Sequence, residues 1–457
     1  MPQQLETLFS EHLHFFLRRV YPASSFTTRA LVHKMPRLFL LGALLLHVAA
    51  SNAAQPEAPG ALDSRVRQYA LNTVTRDSKR FSSKLVQEVA KIDSKNQVVS
   101  PLGLSLTLAM ASFGARRKCQ NIFQDVVGTP FITYTGKVGY QALIDYLASY
   151  RGGVELRVAN GVFLSSKIQP KREFIEVTAQ AFRSAVQKIE FEKSTEAVNT
   201  INEWSRNRTN GHVESVLQPG DVNEDTSMVL VTAVYFKGTW MKNFVVENTR
   251  EQPFYLEDGT EIKIPTMSVE RSFRYGEYPE ADAKFVELPY KTEDAAHNMS
   301  MYIILPNKKS GLKHLEKNFH QITVQQLIAR GTKKKVYIHL PKFKIESEID
   351  LKEPLSRMGM SSMFDPREAD FSDIVTSPRL YVTKIVQKSV IEINEEGCEA
   401  ASSSAVAFSS RSSFDSPTLF FADHAFYVCV VTTGANPQNI FTARFTGQEE
   451  EKSARRC

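Results

Sequence analysis

The chain is poor in the signals that most often betray a function. Its 457 residues hold four cysteines, Cys119, Cys398, Cys429 and Cys457. They form no CxxC pair and no Cys/His cluster, so neither a disulfide framework nor a zinc site is expected. No GxSxG elbow, HExxH, P-loop or GxGxxG occurs. The adjacent Asp423-His424 stand too close in sequence to be read as a catalytic pair. No catalytic residue, metal or cofactor is therefore expected. Charge of one sign is also in short supply: 56 basic against 50 acidic residues leave +6, too small an excess to argue for nucleic acid. Basic residues gather only at Lys333-Lys334-Lys335 and Arg116-Arg117-Lys118. These are the two candidate contacts for a glycosaminoglycan, although such runs are more often solvated turns or helix ends.

What is present points first to export. Leu38 to Ala50 is a short apolar run, preceded by Arg37 and followed by Ser51-Asn52-Ala53-Ala54. That pattern is a secretory signal peptide, too short for an ordinary membrane span. Residues 35–53, opening at Met35, are read as the signal, with 1–34 an upstream extension and a mature start near Ala54 or Gln55. A signal-anchor built on Phe15-Phe16 and Arg18-Arg19 is the other reading of the extension. In a secreted chain the sequons at Asn207 and Asn298 become glycosylation candidates, with Asn207 favoured because Asn298 opens a strand-like run. Residues 448–457 form a charged tail ending in Cys457.

A hydrophobic fraction of 42% with 29 phenylalanines describes a sizeable core. Phe81, Leu85 and Val89 fall at helical spacing. Ser100-Pro101 should begin a helix with Leu104, Leu108, Ala111 and Ala115 inward, and Gly114 should let a neighbour come close. Residues 121–150 read as further helix interrupted near Gly128-Thr129-Pro130. Met228–Phe236 is almost continuously apolar, as expected of a central strand covered on both faces. Short strands follow at 273–278, 285–290 and 299–305, then a helix at 312–319 and a strand at 336–340. The stretch 349–359 is expected to be helical, and 369–374 a compact loop. Helices come mostly early and strands late, which indicates an α+β fold.

One stretch breaks this pattern. Residues 394–412, NEEGCEAASSSAVAFSSRS, follow a strong strand at Ser389–Ile393. From Gly397 to Ser410 nearly every side chain is small, only Glu399 is charged, and no proline appears until Pro417. Alternate residues Cys398, Ala400, Ser402, Ser404, Val406 and Phe408 make one uncharged face of a possible strand. Composition alone suits a Ser/Ala-rich linker. Against that, strand-like runs lie on both sides, so the stretch interrupts a domain rather than separating two. It ends at Arg411-Ser412, the kind of bond that trypsin-like proteases cut.

Taken with six other segments, this stretch resembles the serpin family of serine-protease inhibitors. The segments are NQVVSP…FGAR (96–116), INEWSRNRTNGHV (201–213), VTAVYFKGTW (231–240), LPKFKI (340–345), MGMSSMFDPREADFSDI (358–374) and FFADHAFYV (420–428), with KIVQKSVIEINEEGCEAASSS (384–404). The resemblance covers about 66–447 and implies one domain of three β-sheets and eight or nine helices, with an exposed reactive loop at 395–417. It implies a monomeric suicide inhibitor that forms a covalent 1:1 complex with trypsin-like serine proteases. The bond would be Arg411-Ser412, with Phe408 the alternative for a chymotrypsin-like target. Gly397, Cys398, Glu399, Ala400, Ala401, Ser402, Ser403 and Ser404 would be the hinge. Trp240, Lys342 and Glu395 match the cluster where the loop enters the sheet, with Lys342 and Glu395 as an ion pair. Beneath the sheet Ser100 matches, whereas Gly103, Thr232 and Gln387 stand where serine, asparagine and histidine are usual. Cys398 replaces the usual threonine or serine. The other reading is a non-inhibitory carrier, chaperone or storage protein of the same fold. The composition resembles secreted arthropod members.

Overall fold

Helix α1 (Ala61–Val89) starts the described part of the chain, well before the apolar spacing becomes obvious. The computed structural model describes residues 61–150, 152–293, 298–396, 416–434 and 436–448. The hinge residues, Arg411, Ser412, Cys398, Cys457 and the two segments before Ala61 thus lie outside the described residues. Within α1, Ala70 and Val74 precede Phe81, Leu85 and Val89 on the buried side. Their rows are hard to see among charged neighbours. A Cβ on Gly139 would lie 2.5 Å from the Ala70 carbonyl oxygen, so a glycine is what lets α1 approach α4 (Thr133–Ala148). Arg67 and Asp145 pair across the same contact.

After β1 (Gln97–Val99), helix α2 (Pro101–Ser112) is capped by the Ser100 hydroxyl, which accepts from the Gly103 N–H, with proline at its first position. Every residue from Pro101 to Ala111 is buried, so α2 is a central helix rather than an amphipathic surface one. Gly114 follows it, and a side chain there would meet Ile374. Helix α3 (Arg117–Ile122) widens into a π turn and stops at Gly128, whose φ of +83° is the left-handed conformation that glycine adopts freely.

Strands β2 (Val154–Ser165), β3 (Val186–Ile189), β4 (Met228–Gly238), β10 (Phe343–Asp350) and β11 (Lys384–Ile393) build a five-stranded sheet in the order β10-β11-β4-β2-β3. Helices α5 (Arg172–Phe182) and α6 (Ser194–Arg208) are interleaved with them. Strand β4 lies at the centre, as its apolar run requires. Leu230, Val234 and Phe236 enter the main core below, while Val229, Val231 and Ala233 meet Ala197, Val198 and Ile201 of α6 above. Two of its four pairings are antiparallel; β2 and β3 run parallel, and so do β11 and β4 over eight registered pairs, from Lys384↔Val229 to Ile391↔Phe236.

The second sheet holds β1, β5 (Arg250–Tyr255), β6 (Glu261–Tyr278), β7 (Ala283–Pro289), β8 (Met299–Pro306), β9 (Thr332–Pro341), β12 (Thr418–Phe421), β13 (Phe426–Thr432) and β14 (Asn439–Phe445). Where three sheets were expected, two of them are continuous here because β6 serves both. Its Thr266–Tyr275 pairs with β9, and its Arg274–Tyr278 with β7. Helices α7 (Leu312–Asn318), α8 (Val324–Arg330) and α9 (Lys352–Leu355) complete nine helices among the described residues.

One local expectation fails. Residues 349–359 are not one helix: β10 runs through Asp350, α9 has four residues, and the π turn after it is broken at Gly359, φ +97°. Strand β10 alternates Phe343, Ile345, Ser347 and Ile349 inward. The inward serine spoils the apolar pattern, and it is buried because its hydroxyl accepts the Val98 N–H.

Candidate functional site

Four chain segments converge at the upper end of the β4–β11 seam. Trp240 follows β4, Lys342 sits between β9 and β10, Thr249 precedes β5, and Glu395 follows β11. The Lys342 ammonium donates to Glu395 Oε2 at 2.9 Å, and the Thr249 hydroxyl donates to Oε1 at 2.8 Å. Glu395 is 5% exposed. Burial would raise its pKa, but the hydrogen bonds from Lys342, its own backbone and Thr249, with the lysine charge, hold it below the ordinary carboxylate value. Trp240 Nε1–H donates to the Asn394 carbonyl at 2.9 Å, and its ring stacks on Tyr290 at 4.6 Å. The N–H of Phe244 donates to the Glu395 carbonyl, and that of Trp240 to the Glu396 carbonyl. The expected trio thus meets. Thr249 and Phe244 complete it, and neither carries a motif that would have flagged it in the sequence.

Below the seam the polar cluster forms with altered parts. Gln387 bonds twice to the backbone of Ser100: its Oε1 accepts the Ser100 N–H at 2.7 Å, and its Nε2 donates to the Ser100 carbonyl at 3.0 Å. The Ser100 hydroxyl donates to the Ile440 carbonyl at 2.6 Å. One side chain of β11 therefore ties α2, and α2 in turn ties β14. Thr232, directly across the seam from Gln387, bonds elsewhere. Thr107 donates to Asn160 Oδ1 at 3.0 Å and lies 2.7 Å from the Thr232 hydroxyl. Thr107 and Asn160 were not anticipated, since neither differs from its surroundings in sequence.

The glycine at 103 is explained by this packing. A Cβ there would lie 2.8 Å from Val234 Cγ2 and 2.9 Å from Thr232 Cγ2, so the branched threonine occupies the space a larger residue would need. Gly103→Ala should destabilise the protein by about 1–2 kcal/mol, overpacking outweighing the gain in helix propensity. Adding Thr232→Ser removes one of the two methyls and should restore part of the loss. Urea unfolding of both single variants and the double reads the coupling; strict additivity would show that the two sites do not share this space.

The two basic runs differ. Arg116, Arg117 and Lys118 each face a carboxylate of the 365–374 region, namely Asp373, Asp370 and Glu368. That patch is neutralised. On β9, strand alternation sends Lys334 to the face of Val336 and Lys333 and Lys335 to the other. Lys335 is 2.6 Å from Glu270, and Lys334 lies over the Tyr275 ring. Asn207 is exposed in the last turn of α6. Asn298 is half-buried, and its Oδ1 accepts from Thr292. Cys119 and Cys429 are buried, and burial pushes both thiols up, Cys429 to about 12.

A family model described as serpin (serine protease inhibitor) matches residues 76–445. The chain belongs to the serpin family. Alaserpin of Manduca sexta is 34% identical over 350 residues, covering 73% of this chain and 85% of that protein. Among solved structures, Serpin48 of the insect Tenebrio molitor superposes with a TM-score of 0.73 at 27% identity, covering 82% of this chain and 98% of that one. A cleaved form of Serpin 42Da gives a TM-score of 0.71 at 30% identity, covering 83% and 100%. The serpin fold expected from the sequence, with mixed sheets and about nine helices, is what these structures share. Members of the family are mostly protease inhibitors.

Proposed function

We propose that this serpin is an extracellular, one-use inhibitor of trypsin-like serine proteases that traps the acyl-enzyme by inserting its cleaved loop between β11 and β4. The carrying observation is the seam itself. Two central strands are paired in parallel, and a segment of small residues leaves directly from the end of one of them. A strand that turns back after β11 runs antiparallel to both neighbours, so one parallel ladder gives way to two antiparallel ones, the more stable pairing. The fourteen residues Cys398 to Arg411 span about 45 Å when extended.

In the reaction, the protease serine oxygen attacks the Arg411 carbonyl carbon. The Arg411–Ser412 carbon–nitrogen bond breaks, Ser412 leaves as an amine carrying a proton, and an ester to Arg411 remains. The freed end of the loop can then insert and carry the protease away before water completes the cycle. A basic side chain before the bond suits the acidic primary pocket of trypsin-like enzymes.

Some serpins are not inhibitors, and a carrier, chaperone or storage role is the competing reading. The small, proline-free hinge favours insertion, because proline would remove a ladder donor there. Secretion rests on the 35–53 signal pattern, and Asn207 is the glycosylation site its exposure favours. A glycosaminoglycan is the weaker partner, since neither basic run presents three free cations on one face. Mixing the protein with trypsin should give an SDS-resistant 1:1 complex that Arg411→Ala abolishes. Loop cleavage without complex would support the non-inhibitory role instead.

A further inference from the structure

The seam is also fastened at its far end, by contacts separate from those around Glu395. Lys384 opens β11 and stands opposite Val229. Its ammonium lies 2.7 Å from Asp221 Oδ1 and 3.2 Å from Asp350 Oδ2, and the side chain is only 15% exposed. Asp350 belongs to β10, which pairs with β11 on the side away from the seam. Asp221 lies in the segment that leads from α6 into β4. One lysine therefore ties β11 both to β10 and to the connection that enters β4, a connection that also touches β10 where the Gln218 amide donates to Glu348 Oε2 at 3.0 Å. Nearby, the Ser227 N–H donates to Thr383 Oγ1 at 3.0 Å, the Ser227 hydroxyl to the Tyr381 carbonyl at 2.9 Å, and the Thr383 N–H to the Met228 carbonyl at 2.9 Å.

We propose that this distal stitch, Asp221–Lys384 with Ser227, Thr383 and Tyr381, is the last barrier to loop insertion and decides whether a cleaved loop travels the whole seam or stalls. The proposal rests on the insertion reading above. Its position follows from antiparallel pairing, in which the numbers of facing residues sum to a constant. With a tight turn at 394–397, the inserting strand would reach the level of Lys384 at roughly residue 407 and that of Tyr381 at roughly residue 410. Most of the loop passes without touching the stitch. Only the final residues before Arg411, which carry the acyl group to the far end, require it to part. A loop that stalls there leaves the ester free to hydrolyse.

Separating Lys384 from Asp221 strips a largely desolvated ion of one partner, a loss larger than for an exposed pair. Hydrogen bonds and charge from Asp221 and Asp350 outweigh burial and hold the lysine pKa above its ordinary value. Because β10 stays paired with β11, the proposal keeps the Asp350 contact through insertion and requires the contact with Asp221, in the connection that enters β4, to break. The two carboxylates of one lysine thus form a matched pair for a test.

Asp221→Asn and Asp350→Asn are compared in two measurements on the full chain. One is the stoichiometry of inhibition of trypsin. The other needs no protease: the rate at which a synthetic peptide of residues 398–411 is taken up by the uncleaved protein, read as a mobility shift on native gels. Asp221→Asn should speed peptide uptake about threefold and bring the stoichiometry nearer to one, while Asp350→Asn leaves both unchanged. Equal behaviour of the two variants overturns the stitch, even where the wild type forms its complex normally. If the wild type forms no complex with trypsin but uptake still responds to Asp221 alone, the inhibitory reading fails and the stitch stands. Thr383→Val tests the same crossing should Asp221→Asn fold poorly.

Discussion

On the trapping mechanism proposed above, Ala400→Arg should convert the protein from a trap into a substrate. Trypsin would still cut after Arg411, because the bait residue is untouched, but the complex yield should fall at least tenfold while cleaved protein accumulates. The proposed insertion would place alternate loop residues against the main core beneath β11 and β4, the region held by Gln387, Thr232 and Val234. As a strand, the loop would carry Ala400 on the same uncharged face as Cys398 and Ser402. A guanidinium on that face would be buried without a partner, at a net penalty of several kcal/mol. A barrier raised by about 3 kcal/mol slows insertion roughly 150-fold, and deacylation then wins. Timed samples on SDS gels separate the outcomes. Undiminished complex would mean that this face of the loop is never buried, and the trapping mechanism would fall with it. Ala401→Arg, on the opposite face, should be the milder change.

How much of this could be read from the chain alone depended on how local the physics was. Strand β4 announced itself because it is covered on both faces, and α2 because its cap, its proline and its apolar run agree. Helix α1 was half legible: Phe81, Leu85 and Val89 stood out, while the turns around Ala70 and Val74 depend on a glycine some seventy residues away. Strand β10 was missed because its inward Ser347 is satisfied by Val98, a partner that no local window contains. The same limit applied at the site. Lys342 and Glu395 were anticipated as a pair, but Thr249, which shares the carboxylate, has no sequence signature. In the sequence, Gly103, Thr232 and Gln387 stand out only as departures from the residues usual in the family. The structure shows substitutions that fit one another: Gln387 bonds to the Ser100 backbone, and the Thr232 methyl fills the space beside Gly103.

The largest effect on the uncleaved protein is expected from Glu395→Lys. The native carboxylate accepts from Lys342 and Thr249 while buried at the top of the seam. Reversing its charge sets two ammonium groups against each other and leaves the Thr249 hydroxyl without its acceptor. Losing a buried partner in this way costs about 3–5 kcal/mol. The loss falls on the segment whose Asn394, Glu395 and Glu396 carbonyls take the Trp240 and Phe244 N–H bonds, so the seam should part from its upper end. An open seam offers unpaired strand edges to any extended segment, including the loop of a second molecule. Glu395→Lys should therefore form ordered oligomers on mild heating, seen as a ladder on native gels, under conditions where the wild type stays monomeric. The wild type should show a weaker version in acid. Since the folded-state pKa of Glu395 is depressed, its contribution is fully present above the unfolded carboxylate value of about 4.3 and is lost as pH falls through the lower folded value. Glu395→Gln, which keeps an acceptor for Thr249, should lie between the two at neutral pH and lose this share of the acid response. If Glu395→Lys is as monomeric and heat-resistant as the wild type, the Lys342–Glu395 pair does not hold the seam closed.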